Sequence, residues 1–263
     1  MPEVSACIDM MFPELPFEAR PEAAAACGLS AMEFWKWSNK NLPAVRRELD
    51  RLKLDFTVFN VDSRDEKLSY ALSRGILNLG QKEVFVGAVR ESIPAYHLLE
   101  ARGMIVLLGE ETDAIAPEVQ LENAYAALAS AAEVAEKANV TLVVEPLNNV
   151  DRPHYWMPHV TPVLALLKRV GSDHVKLLYD LYHQNVMGDF SMEEIRANID
   201  RIGHFHVADA PGRHEPGTGT VDYVSVLREI AALPYTGTVG LEYRATRPVG
   251  ETLGFLKEAG YLV

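Results

Sequence analysis

An alternation of apolar runs and helical patterns, sustained from end to end, limits what this chain can become. Short apolar runs recur at ACIDMMF (6–12), AMEFW (31–35), DFTVFNV (55–61), MIVLLGE (104–110), TLVVEPLN (141–148), VKLLYDLYH (175–183), GHFHVAD (203–209) and TVGLEY (238–243). Helical patterns follow them at 16–27, 43–52, 83–101, 119–138, 163–170, 192–202, 223–233 and 249–259. Several close on the Gly or Asn that suits a left-handed helix end, in ACG, ARG and KAN. Strands alternating with helices imply parallel strands joined by right-handed crossovers. Eight such units predict an α/β fold, a closed (β/α)8 TIM barrel, as one domain over 1–263; barrels of about 250 residues usually form one domain. A doubly wound open sheet is the competing arrangement. It calls for a glycine-rich turn after the first strand, and FPELPFEAR at that place contains no glycine.

Composition removes several classes of partner. A net charge of −12 argues against nucleic acid, because affinity for a phosphate backbone rests on Lys and Arg. No apolar run approaches the roughly 20 residues of a membrane helix, and MPEVSACIDMMF lacks the basic start of a secretion signal. A cytoplasmic protein acting on a small molecule, as a monomer or a homo-oligomer, is the expectation. Cys7 and Cys27 are then expected to be buried free thiols rather than a disulfide.

In a barrel of this kind the C-terminal ends of the strands carry the chemistry. Four polar residues sit late in consecutive apolar runs: Glu145, Asp180, His206 and Glu242. Each alone is more often a strand-end polar group than a ligand. Together, from the fifth strand to the eighth, they converge on one half of the barrel mouth. Three carboxylates brought together repel one another, and burial increases the cost. One divalent cation resolves both problems, and a mixed oxygen-and-nitrogen shell suits Mn²⁺, Mg²⁺, Co²⁺ or Zn²⁺. His204, two residues before His206, shares its side of the strand as a ligand, a support or a packed core histidine. Seven of the eight histidines lie between His154 and His214. The loop ADAPGRHEPGTGTVDY carries Arg213, which could hold a carboxylate or a sugar oxygen.

The segments EPLNNVDRPHY, DLYHQNVMGD, IGHFHVADAPGRHEPGTGTVDY and GLEYR resemble hydroxypyruvate isomerases, a group of the xylose-isomerase-like barrels that also include ketose 3-epimerases. The resemblance extends to MFPELPFEARPEAAAACGLSAMEFW and FTVFN, and so covers nearly the whole chain. It implies a metal held by Glu145, Asp180, His206 and Glu242, with Glu145 and Glu242 also moving the proton. It implies that His183 and Arg213 contact substrate oxygens and that Asp151 lies near a terminal hydroxyl. The activity implied is isomerisation of a small hydroxy-keto acid or keto-sugar through an enediolate. Ketose epimerisation and a keto-sugar or keto-polyol lyase are the alternatives on the same barrel. The chain departs from the usual isomerase pattern in having His206 where Gln is typical, His154 where Gly is typical, and no histidine in IVLLGE.

Overall fold

A strand enclosed on both faces needs apolar residues at consecutive positions, and most strands of this sheet are built of them. The computed structural model describes residues 1–262. Its strands are β1 (Glu3–Cys7), β2 (Ala31–Glu33), β3 (Asp55–Phe56), β4 (Val58–Asn60), β5 (Gly103–Leu107), β6 (Leu142–Glu145), β7 (Val175–Asp180), β8 (Ile202–Val207) and β9 (Thr238–Leu241). All pair in parallel, in the order β3-β2-β1-β9-β8-β7-β6-β5-β4. β3 and β4 are two pieces of one extended stretch interrupted at Thr57. The Thr57 amide donates to Met32 O at 3.0 Å, and its carbonyl accepts from the Arg102 amide at 2.7 Å. Through Thr57 the sheet comes round on itself as the expected eight-stranded barrel, with helices outside.

The lumen is divided. Alternation along each strand places Val143 with Glu145, and His204 with His206, on the inner side. Val58, Ile105, Val143 and Leu178, from β4 to β7, form a small apolar plug separate from the main core between sheet and helices. Gly203 makes room for it, since a Cβ there would stand 2.9 Å from Val143 Cγ1. On the opposite side, β1, β2, β8 and β9 contribute the buried polar groups Ser5, Glu33, His204, His206 and Thr238.

Several boundaries differ from the pattern read in the sequence. The first strand ends at Cys7, and Ile8–Met11 is a single helical turn. The sixth apolar run leaves the sheet at Asp180, which caps the helix Leu181–Met187 by accepting from the amides of Tyr182 and His183. His183 therefore stands on a helix, not a strand. Gly28 and Asn139 are left-handed as expected, but Glu100, not Gly103, turns the chain after the helix Lys82–Leu99. The helix Glu66–Arg74, capped by Asp65, lies outside the helices expected from the sequence and buries Ser69 and Leu72. The helix expected over 192–202 ends at Ala197, and the last is broken at Leu253. Both cysteines are free; Cys7 is buried, whereas Cys27 is partly exposed. Among the described residues no helix is long and apolar enough to cross a membrane.

Candidate active site

Parallel strands that end together deliver their last inward side chains to one place. Glu145 closes β6, Asp180 closes β7, His206 lies one residue from the end of β8, and Glu242 follows β9. All four are buried, and each offers a ligand atom within 4.8 Å of the others. His206 Nδ1 lies 3.0 Å from Glu242 Oε2 and 3.4 Å from Glu145 Oε1. Asp180 divides its work. Its Oδ1 caps the following helix, at 2.8 Å from the Tyr182 amide, while Oδ2 faces the cluster, 3.1 Å from Arg213 Nη2. The same Nη2 is paired with Glu242 Oε2.

Burial raises the Glu145 carboxyl to about 7 against the pull of His206. Glu242 is equally buried, but Arg213 and His206 bring it down to about 2. Burial also opposes a charge on His206, yet Glu242, Glu33 and Glu145 hold it well above its usual range. The protein's own charges thus make a proton the stand-in for a cation at the centre of the cluster.

The residues fit a divalent ion. Three carboxylates against one guanidinium leave two negative charges, which one dication balances. Among the described residues, neither ring nitrogen of His206 makes an aligned hydrogen bond, nor does Nε2 of His183. Buried polar atoms are rarely left so without a reason. A second group, Glu33, His204 and His206, also clusters, but its single carboxylate already accepts from Ser5 and Thr57. Glu145, Asp180, His206 and Glu242 are the better set for a hard or borderline cation.

The structure places the other expected residues as follows. His183 is buried; the Asn148 amide donates to its Nδ1 at 3.0 Å, which leaves the proton on Nε2. That Nε2 faces Asp180 Oδ2 at 3.4 Å. Burial holds the ring down at about 4, so it is a neutral donor. Arg213 lies over the Tyr182 ring, and among the described residues no protein group accepts from its Nη1. Asp151 stands at the exposed rim, where it accepts from Tyr182 Oη at 2.7 Å and Asn148 Nδ2 at 3.0 Å. It reaches the site through those two side chains rather than by lining it. His204 is buried against Thr238 Oγ1 at 2.6 Å, and His154 is exposed on a loop.

A cleft of about 250 Å³ opens on the cluster, with Glu145, Glu242 and Arg213 at one end and Lys36 and Arg152 among its farther walls. Trp35 forms a side and donates to Glu242 Oε1 at 2.5 Å. Trp35, Asn148, Tyr182 and Glu33 escaped the reading of the sequence. Glu33 had a signal, being the one charged residue within AMEFW.

A family model described as the xylose isomerase-like TIM barrel matches residues 21–259. The chain is 31% identical over 241 residues to the hydroxypyruvate isomerase of Escherichia coli, covering 91% of this chain and 92% of that protein. It is 32% identical to the 2-oxo-tetronate isomerase of Cupriavidus necator, covering 98% of each. The crystal structure of an AP endonuclease of family 2 from Brucella melitensis superposes with a TM-score of 0.88 at 27% identity, over the full length of both chains.

Proposed function

The chain belongs to the hydroxypyruvate isomerase family of xylose isomerase-like TIM barrels, and on that premise we propose a metal-dependent isomerase acting on a small α-hydroxy keto acid. The convergence of Glu145, Asp180, His206 and Glu242 at one end of the barrel carries this reading. A divalent ion held by these four residues would supply Lewis acidity toward a carbonyl and its neighbouring hydroxyl. Everything else is the work of the chain. Glu145, at the end of β6, directs its carboxyl into the cluster 3.4 Å from His206 Nδ1, where it is placed to take a proton as a general base and return it. Glu242 is kept ionised beside Arg213 and oriented by Trp35. Two carboxyls flanking one substrate carbon and its neighbour allow a proton to leave one and arrive at the other. His183 offers an Nε2–H to a substrate oxygen, where it stabilises charge developing on an enediolate. Arg213 Nη1 is the donor left for a substrate carboxylate.

A cleft near the small end of ligand sites suits a substrate of a few carbons. The acidity of the chain argues against the nucleic-acid substrate that the name of the Brucella structure denotes. Proton exchange tests the proposal. Metal-loaded protein is incubated in D₂O with hydroxypyruvate and short ketoses, and label at the carbon beside the carbonyl is followed by NMR. Exchange with formation of the aldehyde or ketone isomer is the expected result. Label with inverted configuration would replace isomerase by epimerase, loss of water would point to a lyase, and no exchange in any substrate would overturn the reading.

A further inference from the structure

Beneath the cluster lies a charged group that the proton transfer does not use. Glu33, the last residue of β2, is 2% exposed. Its Oε2 accepts from Ser5 Oγ at 2.5 Å and Thr57 Oγ1 at 2.8 Å, and lies 3.3 Å from His204 Nε2. Its Oε1 stands 3.0 Å from His206 Nε2, a charge contact off the line of an ideal N–H donor. His204 is itself fixed by Thr238, so side chains from β1, β8 and β9 and from Thr57 confine one carboxylate. The backbone makes way for it. Gly240, the register partner of His206, is where a Cβ would come 2.5 Å from Glu33 Oε1.

The consequence follows from donor and acceptor chemistry. An ionised carboxylate only accepts, so the His206 nitrogen facing it carries the proton. The other nitrogen, Nδ1, faces Glu145 and Glu242, which are also acceptors, so a proton fills that place in the metal-free site and a cation would take it over. That arrangement is satisfied by a cation between them. We propose that Glu33 is a positioning residue that fixes the Nε2–H tautomer and the ring orientation of His206, leaving Nδ1 free as a metal ligand. The proposal rests on the metal-site reading above. It also gives the polar half of the lumen a purpose: Ser5, Thr57 and His204 hold the carboxylate that holds the ligand. Partners of this kind typically change metal affinity by about 10–100-fold.

The test is Mn²⁺ titration by calorimetry of the full-length protein after stripping with chelator. Glu33→Gln should weaken Mn²⁺ binding by about 10–100-fold relative to wild type. Gly240→Ala keeps the carboxylate but displaces it, and should weaken binding in the same direction; it decides the matter if Glu33→Gln does not fold. Wild-type affinity in the folded variants, with only a lower melting temperature of the stripped protein, would make Glu33 a packing residue and overturn the proposal while the metal site stands. No Mn²⁺ binding by wild type would overturn the metal site and this inference with it.

Discussion

Replacing Glu145 by Gln should move catalysis and stability in opposite directions. The barrel holds the Glu145 carboxyl at about 7, against an ordinary value of 4.5. At about 1.4 kcal/mol per pH unit, that difference amounts to about 3 kcal/mol. The sign follows from linkage. A carboxyl raised on folding leaves stability intact below its unfolded value and loses it as pH rises through the folded one. Metal-free wild type therefore bears the full cost only above about pH 7, whereas Gln stays neutral throughout. At roughly 2–4 °C per kcal/mol, the stripped variant should melt up to about 6–12 °C above stripped wild type near pH 8. The gap should close as pH falls toward 4.5. With metal restored the order should reverse for function, since the variant lacks the carboxyl proposed as the base, and turnover should fall by at least about 10²-fold. Differential scanning calorimetry across pH gives the first readout. Steady-state kinetics with metal content measured in each sample gives the second. A stripped variant that melts no higher than wild type near pH 8, or a metal-replete variant with near-normal turnover, would refute the reasoning.

The parts legible in the sequence were those that break a rule of burial. Barrel strands are apolar at consecutive positions, so Glu145, Asp180, His206 and Glu242 stand out inside their runs, and chain order alone puts them on neighbouring strands. The same logic misplaced His183. Leu181 and Tyr182 are buried and prolong an apolar run that periodicity cannot divide into strand end and first helical turn. Asp180 also shows why a single strand-end acid is ambiguous, because one of its oxygens serves an ordinary helix cap and the other the cluster. Glu33 breaks the same rule inside AMEFW, but its role was hidden for a different reason. It is a lone acid on β2, and its meaning comes from Ser5, Thr57 and two histidines 24 to 173 positions away, an association that only barrel closure creates. The weight of one departure from the family pattern was equally unreadable. His154 stands where the resemblance expects Gly, yet it is exposed, so that difference carries little weight in choosing a substrate.

Protons and metal should compete for the site. Elemental analysis of protein purified without chelator should find about one divalent ion per chain, and removing it should abolish turnover. Because Glu145 lies at about 7 and His206 above its usual range, both hold protons that the metal must displace, so Mn²⁺ affinity should rise steeply as pH is raised through 7. An affinity independent of pH across that window would contradict the assignment of these two residues. The last prediction concerns Arg213, to which the proposal assigns two tasks in one guanidinium. Through Nη2 it compensates Asp180 and Glu242, and through Nη1 it is free toward the cleft. A charge-assisted hydrogen bond to a substrate carboxylate is worth about 1.5–3 kcal/mol, so Arg213→Ala should raise KM for a keto acid by about one to two decades. A neutral ketose has no carboxylate to lose, so its KM should change much less, and comparing the two substrates in one variant cancels any general damage to the metal cluster. Equal losses for acid and ketose would confine Arg213 to charge compensation. The carboxylate would then have to be held elsewhere in the cleft, where Lys36 and Arg152 are the other cations in its walls.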